Sequence, residues 1–169
     1  MKELAALWLA EARKNNALPL SDYGILGIHE LEYKVAAPAS GRYVYYPGTT
    51  EIPEASGART LGVSFKIIAE VEFSKDSKGV IVSQGSRFGG YTLFVKDGHL
   101  HWEHNYYNEI HYRVTSTEQL PPGHHVLSAE VNVDEESTAG GGGHVTLRIG
   151  KKTAGEGRFE QQVAGYFTP

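Results

Sequence analysis

The fold is written most plainly in Tyr91-Thr92-Leu93-Phe94-Val95-Lys96-Asp97-Gly98-His99-Leu100-His101-Trp102-Glu103-His104-Asn105. Two runs rich in β-forming residues flank Asp97-Gly98, the dipeptide that supplies the two positive φ angles of a type I′ turn, so the stretch predicts a β-hairpin. On the second strand, period-two alternation puts His99, His101 and Glu103 on one face and Leu100, Trp102, His104 and Tyr106 on the other.

The same alternation extends in both directions. Ile67, Ala69, Val71 and Phe73 alternate with Lys66, Ile68, Glu70 and Glu72, and Val145, Leu147 and Ile149 alternate with His144, Thr146 and Arg148. Nine short runs are expected as strands: Tyr43–Tyr46, Val63–Phe73, Val80–Gln84, Tyr91–Lys96, His99–Asn105, Ile110–Thr115, His125–Val133, His144–Ile149 and Thr153–Val163. Ile149-Gly150-Lys151-Lys152 predicts a second tight turn of the Asp-Gly kind, and Gly140–Gly143 reads as a flexible strand connection. No Lys-Ser/Thr follows those glycines, as a phosphate-cradling loop requires. The expected fold is a mainly β, antiparallel sandwich.

Lys2–Asn16 has a different period. Leu4, Ala5, Trp8, Leu9 and Ala12 recur at helical spacing, and Asn15-Asn16 and Pro19 stop the pattern. This predicts one N-terminal amphipathic helix, whose apolar stripe needs burial because so short a helix is marginal alone. Leu18–Ser40 shows no period and reads as a long connection, dividing the chain into residues 1–40 and a β-rich part, 41–169.

The chain has 169 residues, 40% of them hydrophobic, enough for one domain with its own core. With 16 Lys+Arg against 20 Asp+Glu the net charge is -4, which argues against nucleic-acid binding. No cysteine is present, so thiol chemistry and disulfides are excluded. Neither a membrane-spanning run nor a signal peptide is visible; a soluble chain of unknown compartment is expected.

Three sets of residues invite a chemical reading. His99 and His101, with Glu103 beside them and His111 on the next strand, have the side-chain types of a metal site. Yet alternate strand positions lie ~7 Å apart, too far for all to reach one ion at ~2 Å bonds, so a wet sheet face is the expectation. Tyr91, Trp102, Tyr106 and Tyr112 are candidate sugar-stacking rings, with Arg87 in Gln84-Gly85-Ser86-Arg87-Phe88-Gly89-Gly90 as a candidate anion clamp. The plainer reading makes the rings core residues, the glycines turn residues and Arg87 a solvated charge. Glu70 and Glu72, ~7 Å apart on one face, fall in the range of an inverting glycosidase pair, although alternating exposed glutamates are a common strand feature.

Several segments together resemble the C-terminal end of large bacterial arylsulfatases of the formylglycine type. They are Lys2–Ala12 continuing to Asn16-Ala17-Leu18-Pro19-Leu20, Tyr45–Pro53 (YYPGTTEIP), Gln84–Gly98 (QGSRFGGYTLFVKDG) and Leu120–His125 (LPPGHH), in this order over nearly the whole chain. The resemblance implies that the helix closes a catalytic region and that the β-rich part is an appended concanavalin-like, jelly-roll sandwich. Arylsulfatases of that type use a formylglycine made from the Cys or Ser of a C/S-x-P-S/A-x-R motif, beside a calcium ion. Here there is no Cys, and no Ser is followed two positions later by Pro, so no family catalytic residue transfers. The expectation is a non-catalytic accessory domain, not an enzyme by itself, whose partner is a catalytic sulfatase domain of the same chain and whose calcium belongs to that domain. A carbohydrate-binding module is the alternative, and an independent hydrolase using Glu70/Glu72 or the His99/His101/Glu103 face is a third reading.

Overall fold

The computed structural model describes residues 2–15, 38, 40–49, 51–135 and 140–164. The chain falls into two compact units, Met1–Ala36 and Ala37–Pro169. The first contains α1 (Lys2–Lys14), with Glu3 in its first turn and Arg13 and Lys14 in its last, as the helix dipole favours. The helix stops two residues before the expected Asn16. Asn15 ends it, its backbone N–H (3.0 Å) and its side-chain Nδ2 (2.8 Å) both donating to the Glu11 carbonyl. Of the expected apolar stripe, Ala12 is buried, whereas Leu4, Trp8 and Leu9 are exposed. Most of the expected Leu18–Ser40 connection lies outside the described residues.

Among the described residues the second unit is an antiparallel β-sandwich of eight strands: β1 (Phe65–Phe73), β2 (Gly79–Ser86), β3 (Gly89–Lys96), β4 (His99–Tyr106), β5 (Ile110–Thr115), β6 (Gly123–Val133), β7 (Gly143–Ile149) and β8 (Lys152–Phe159). One sheet has the order β1-β6-β7-β8 and the other β2-β3-β4-β5. The chain therefore crosses between sheets only after β1 and after β5. Along the other side, β5 and β8 approach each other: the Thr117 N–H donates to the Ala154 carbonyl at 2.7 Å. A Cβ added at Gly155 would lie 2.6 Å from the Thr115 carbonyl oxygen, so only glycine permits this approach.

Strand alternation fills the space between the sheets. Leu93, Leu100, Trp102 and Val114 face Leu127, Ala129, Val131, Val145, Leu147 and Phe159 in one buried cluster. A fully buried Leu or Val of this kind contributes ~1.5–3 kcal/mol. Asp97 (φ 52°) and Gly98 (φ 78°) form the predicted turn, with Lys96 paired to His99. The Gly150 turn is tight as well, with Ile149 paired to Lys152, but positive φ is confined to Gly150 (60°), the type II′ pattern instead of I′.

Three expectations are corrected. Tyr43–Tyr46 forms no strand: Val44, Tyr45 and Tyr46 are exposed, so the run has no face to bury. The last strand stops at Phe159, four residues early, after which Val163 turns inward against Gly89, where an added Cβ would come within 2.6 Å of it. Gly140–Gly142 do lie in the expected connection between β6 and β7, but Gly142 and the strand residue Gly143 are buried and closely packed. A Cβ on Gly143 would lie 2.6 Å from both the Asn132 oxygen and the Phe159 ring, so close packing selects glycine there.

Candidate functional site

The inner and outer faces of the β2–β5 sheet divide the candidate residues between them. Tyr91 and Trp102 point inward. Their rings stack at 4.5 Å and 18°, Phe65 packs on both, and the two residues are 7% and 1% exposed. These two expected stacking residues are thus core residues, because they share strand parity with Leu93 and Leu100. The Tyr91 hydroxyl donates to the Gln84 Oε1 at 3.0 Å, an oxygen that also accepts from Thr60 at 2.6 Å. Burial pushes the Tyr91 phenol up to about 12. Tyr106 and Tyr112 are half-buried and pack against the same core. His104, 3% exposed, stacks on Phe159 at 4.8 Å, and burial pushes its imidazole down to about 4.

Outward, the register sets up two rows across the four strands. Ser83, Thr92, Glu103 and Arg113 are successive cross-strand partners, and so are Gly85, Gly90, Asn105 and His111. Between these rows lies a concavity of about 270 Å³ lined by Ser83, Gly85, Gly90, Thr92, Glu103 and His111, among others. The paired glycines create it. Gly85 (φ 127°) and Gly90 (φ 123°) sit so close that a Cβ on either would come within 2.6 Å of the other's Cα. Any side chain there would strain the backbone and run into the main chain of the paired strand, 2.1 Å from the Gly89 oxygen for Gly85 and from the Gln84 oxygen for Gly90. The expectation that these glycines are turn residues is corrected: they are strand residues, and the two-residue turn is Arg87-Phe88, between paired Ser86 and Gly89.

Glu103 anchors the rim. It accepts from Arg113 Nε at 2.7 Å and from Arg113 Nη2, and its other oxygen takes His111 Nδ1 at 3.0 Å. Burial raises its pKa, but the Arg113 and His111 hydrogen bonds outweigh that, so the carboxyl is held below the usual range. Asn105 is structural. Its Nδ2 donates to the Ser86 and Arg87 carbonyls (3.3 and 3.0 Å) and its Oδ1 accepts from the Asn108 N–H (2.8 Å). One side chain thereby ties the β2–β3 turn to the β4–β5 turn, where Tyr107 (φ 49°) and Asn108 (φ 57°) are left-handed.

The remaining candidates do not converge. His101 uses both ring nitrogens: a carbonyl only accepts, so Nε2–H donates to Lys96 (3.1 Å) and Nδ1 accepts from the Thr115 hydroxyl (2.9 Å). His99 Nδ1 donates to the Ser116 carbonyl at 2.8 Å. His111 is turned to Glu103, and among the described residues no three His, Asp or Glu side chains are placed to hold one ion. Glu70 and Glu72 are exposed on the other sheet, opposite Val126 and His124. Arg87 is not among the residues lining the concavity; its guanidinium lies 5.2 Å over the Phe88 ring on the turn. Phe88 and Tyr107, 47% and 46% exposed, stand on the two turns that Asn105 joins.

Sequence reasoning named Glu103 and His111 but missed Ser83, Thr92 and the glycine floor. The outer face of the other sheet has a second depression, lined by Lys66, Ile68, Val126, Ser128, Arg148, Gly150 and Lys151. There Lys66 pairs with Glu130 and Arg148 with Thr153. Among the described residues no helix is long and apolar enough to cross a membrane. Comparison of the chain with protein-family models and with curated proteins found no match to either.

Proposed function

We propose that this chain is a non-catalytic accessory β-sandwich of an arylsulfatase-type hydrolase, and that it works by contact with the catalytic body. The observation that carries the reading is the tip formed by the Arg87-Phe88 and Tyr107-Asn108 turns. Arg, Phe and Tyr are side chains that concentrate at protein interfaces. Here they project from turns already fixed by the three hydrogen bonds of Asn105, so little ordering entropy is lost on docking. The Arg87-Phe88 half of the tip falls within Gln84–Gly98, one of the stretches that resemble the arylsulfatases, and a concanavalin-like kinship of the sandwich rests on that resemblance.

Two measurements test this. Purified chain assayed on an aryl sulfate with added calcium is expected to give no turnover above background; turnover would refute the non-catalytic assignment. Mixed with a formylglycine-type catalytic domain lacking its own C-terminal sandwich, the chain is expected to bind and to raise that domain's melting temperature. The Phe88→Ala/Tyr107→Ala double variant should bind at least about tenfold more weakly. Equal binding by the double variant would remove the tip from the account.

A further inference from the structure

We propose that the glycine-floored concavity on the outer face of β2–β5 binds one ring of a neutral saccharide, independently of any hydrolase partner. Four properties point to that ligand class. Its volume, about 270 Å³, lies just under the ~300–1,000 Å³ of small-molecule pockets, which suits a single sugar unit. The row Ser83–Thr92–Glu103 presents two hydroxyls and a carboxylate on neighbouring strands, ~4.8 Å apart. Hydroxyls both donate and accept, as the hydroxyls of a pyranose do, so each can match a sugar hydroxyl in either sense.

Charge compensation sets the third property. Glu103 is bonded by Arg113 and His111, so the site offers neither an unpaired carboxylate to a cation nor an unpaired guanidinium to an anion. The floor sets the fourth. Gly85 and Gly90 are a cross-strand pair with no side chain on either strand, leaving bare backbone for the C–H face of a ring. At the middle of the site strand addition by a peptide is not offered, because β3 and β4 are hydrogen-bonded on both sides. Phe94, stacked on His101 at 4.9 Å one row beyond Thr92 and Glu103, gives a second ring a place to rest.

The test is a titration of the isotope-labelled full chain with methyl β-glucopyranoside, methyl β-galactopyranoside and N-acetylglucosamine, followed by amide chemical shifts. At least one of the three should move Ser83, Gly85, Gly90, Thr92 and Glu103 saturably. Thr92→Trp, which fills the concavity from a half-exposed position, should weaken that binding about tenfold or more, and Glu103→Gln should weaken it with the shape kept. Melting temperatures of both variants report whether the fold survives. Silence of all three sugars, shifts mapping to another surface, or undiminished binding by a folded Thr92→Trp would overturn the proposal. So would binding of a sulfated galactose or of glucosamine with no binding of the neutral sugars.

Discussion

The two faces of β4 were built by different rules. Inward, Leu100, Trp102 and His104 are 0%, 1% and 3% exposed and pack against the opposite sheet. Outward, His99, His101 and Glu103 hold defined hydrogen bonds on a wet surface. The inner face is shaped by what its side chains fill, and the outer face by what Gly85 and Gly90 leave empty. Stability should therefore reside on one side of a single strand and recognition on the other.

The sharpest way to break that division is Trp102→Ala, which removes the ring stacked on Tyr91. A loss of ~3–5 kcal/mol in urea unfolding is expected. Trp102→Phe should cost much less, since it keeps a ring and deletes an indole N–H that has no hydrogen-bond partner among the described residues.

Acid titration gives the next largest effect. His104 takes a proton near 6.5 when unfolded and near 4 when folded. Above pH 6.5 the contribution of His104 is fully present, and between 6.5 and 4 protonation favours the unfolded chain, by on the order of 3 kcal/mol in all. Stability measured across that window should flatten in His104→Phe. At the alkaline end Tyr91 acts in the opposite sense: its folded phenol stays neutral while the unfolded one ionises above 10, so stability falls as pH rises from 10 towards 12.

Asn105→Ala sharpens the comparison, because it removes three hydrogen bonds between two turns without touching the inner face. A cost of ~1–3 kcal/mol is expected. Local hydrogen exchange should rise at Ser86–Gly89 and Tyr107–Asn108 more than at Leu100 or Trp102. The smallest effect belongs to the outer face: Glu103→Gln should change stability by ~0–1 kcal/mol, since its partners are largely exposed.

That division also explains what the sequence made legible. Burial imprints a period of two, so β1, β4 and β7 could be read from Ile67/Ala69/Val71, Leu100/Trp102 and Val145/Leu147, and Asp97-Gly98 announces its own turn chemistry. The inward direction of Tyr91 and Trp102 was legible too, in their parity with Leu93 and Leu100. It was obscured because Tyr and Trp suit a sugar face as well as a core.

The concavity was not legible. It depends on Gly85 meeting Gly90 across a turn at Arg87-Phe88, whereas three glycines around an arginine read locally as the turn itself. Asn105 is equally silent, because its partners Arg87 and Asn108 belong to separate hairpins that meet only in the folded sheet. Tyr43–Tyr46 misled for the converse reason: β propensity is satisfied locally, but a strand needs a face to bury.

Acrylamide quenching of Trp102 fluorescence in the Trp8→Phe chain reads the inner face directly, because Trp8 is the only other tryptophan and is 51% exposed. The expected result is blue-shifted native emission almost inaccessible to quencher, unchanged by any bound sugar and released on unfolding. Emission in the native state as red-shifted and as readily quenched as in urea would place Trp102 on the surface, and the separation of a stabilising inner face from a recognising outer one would fail.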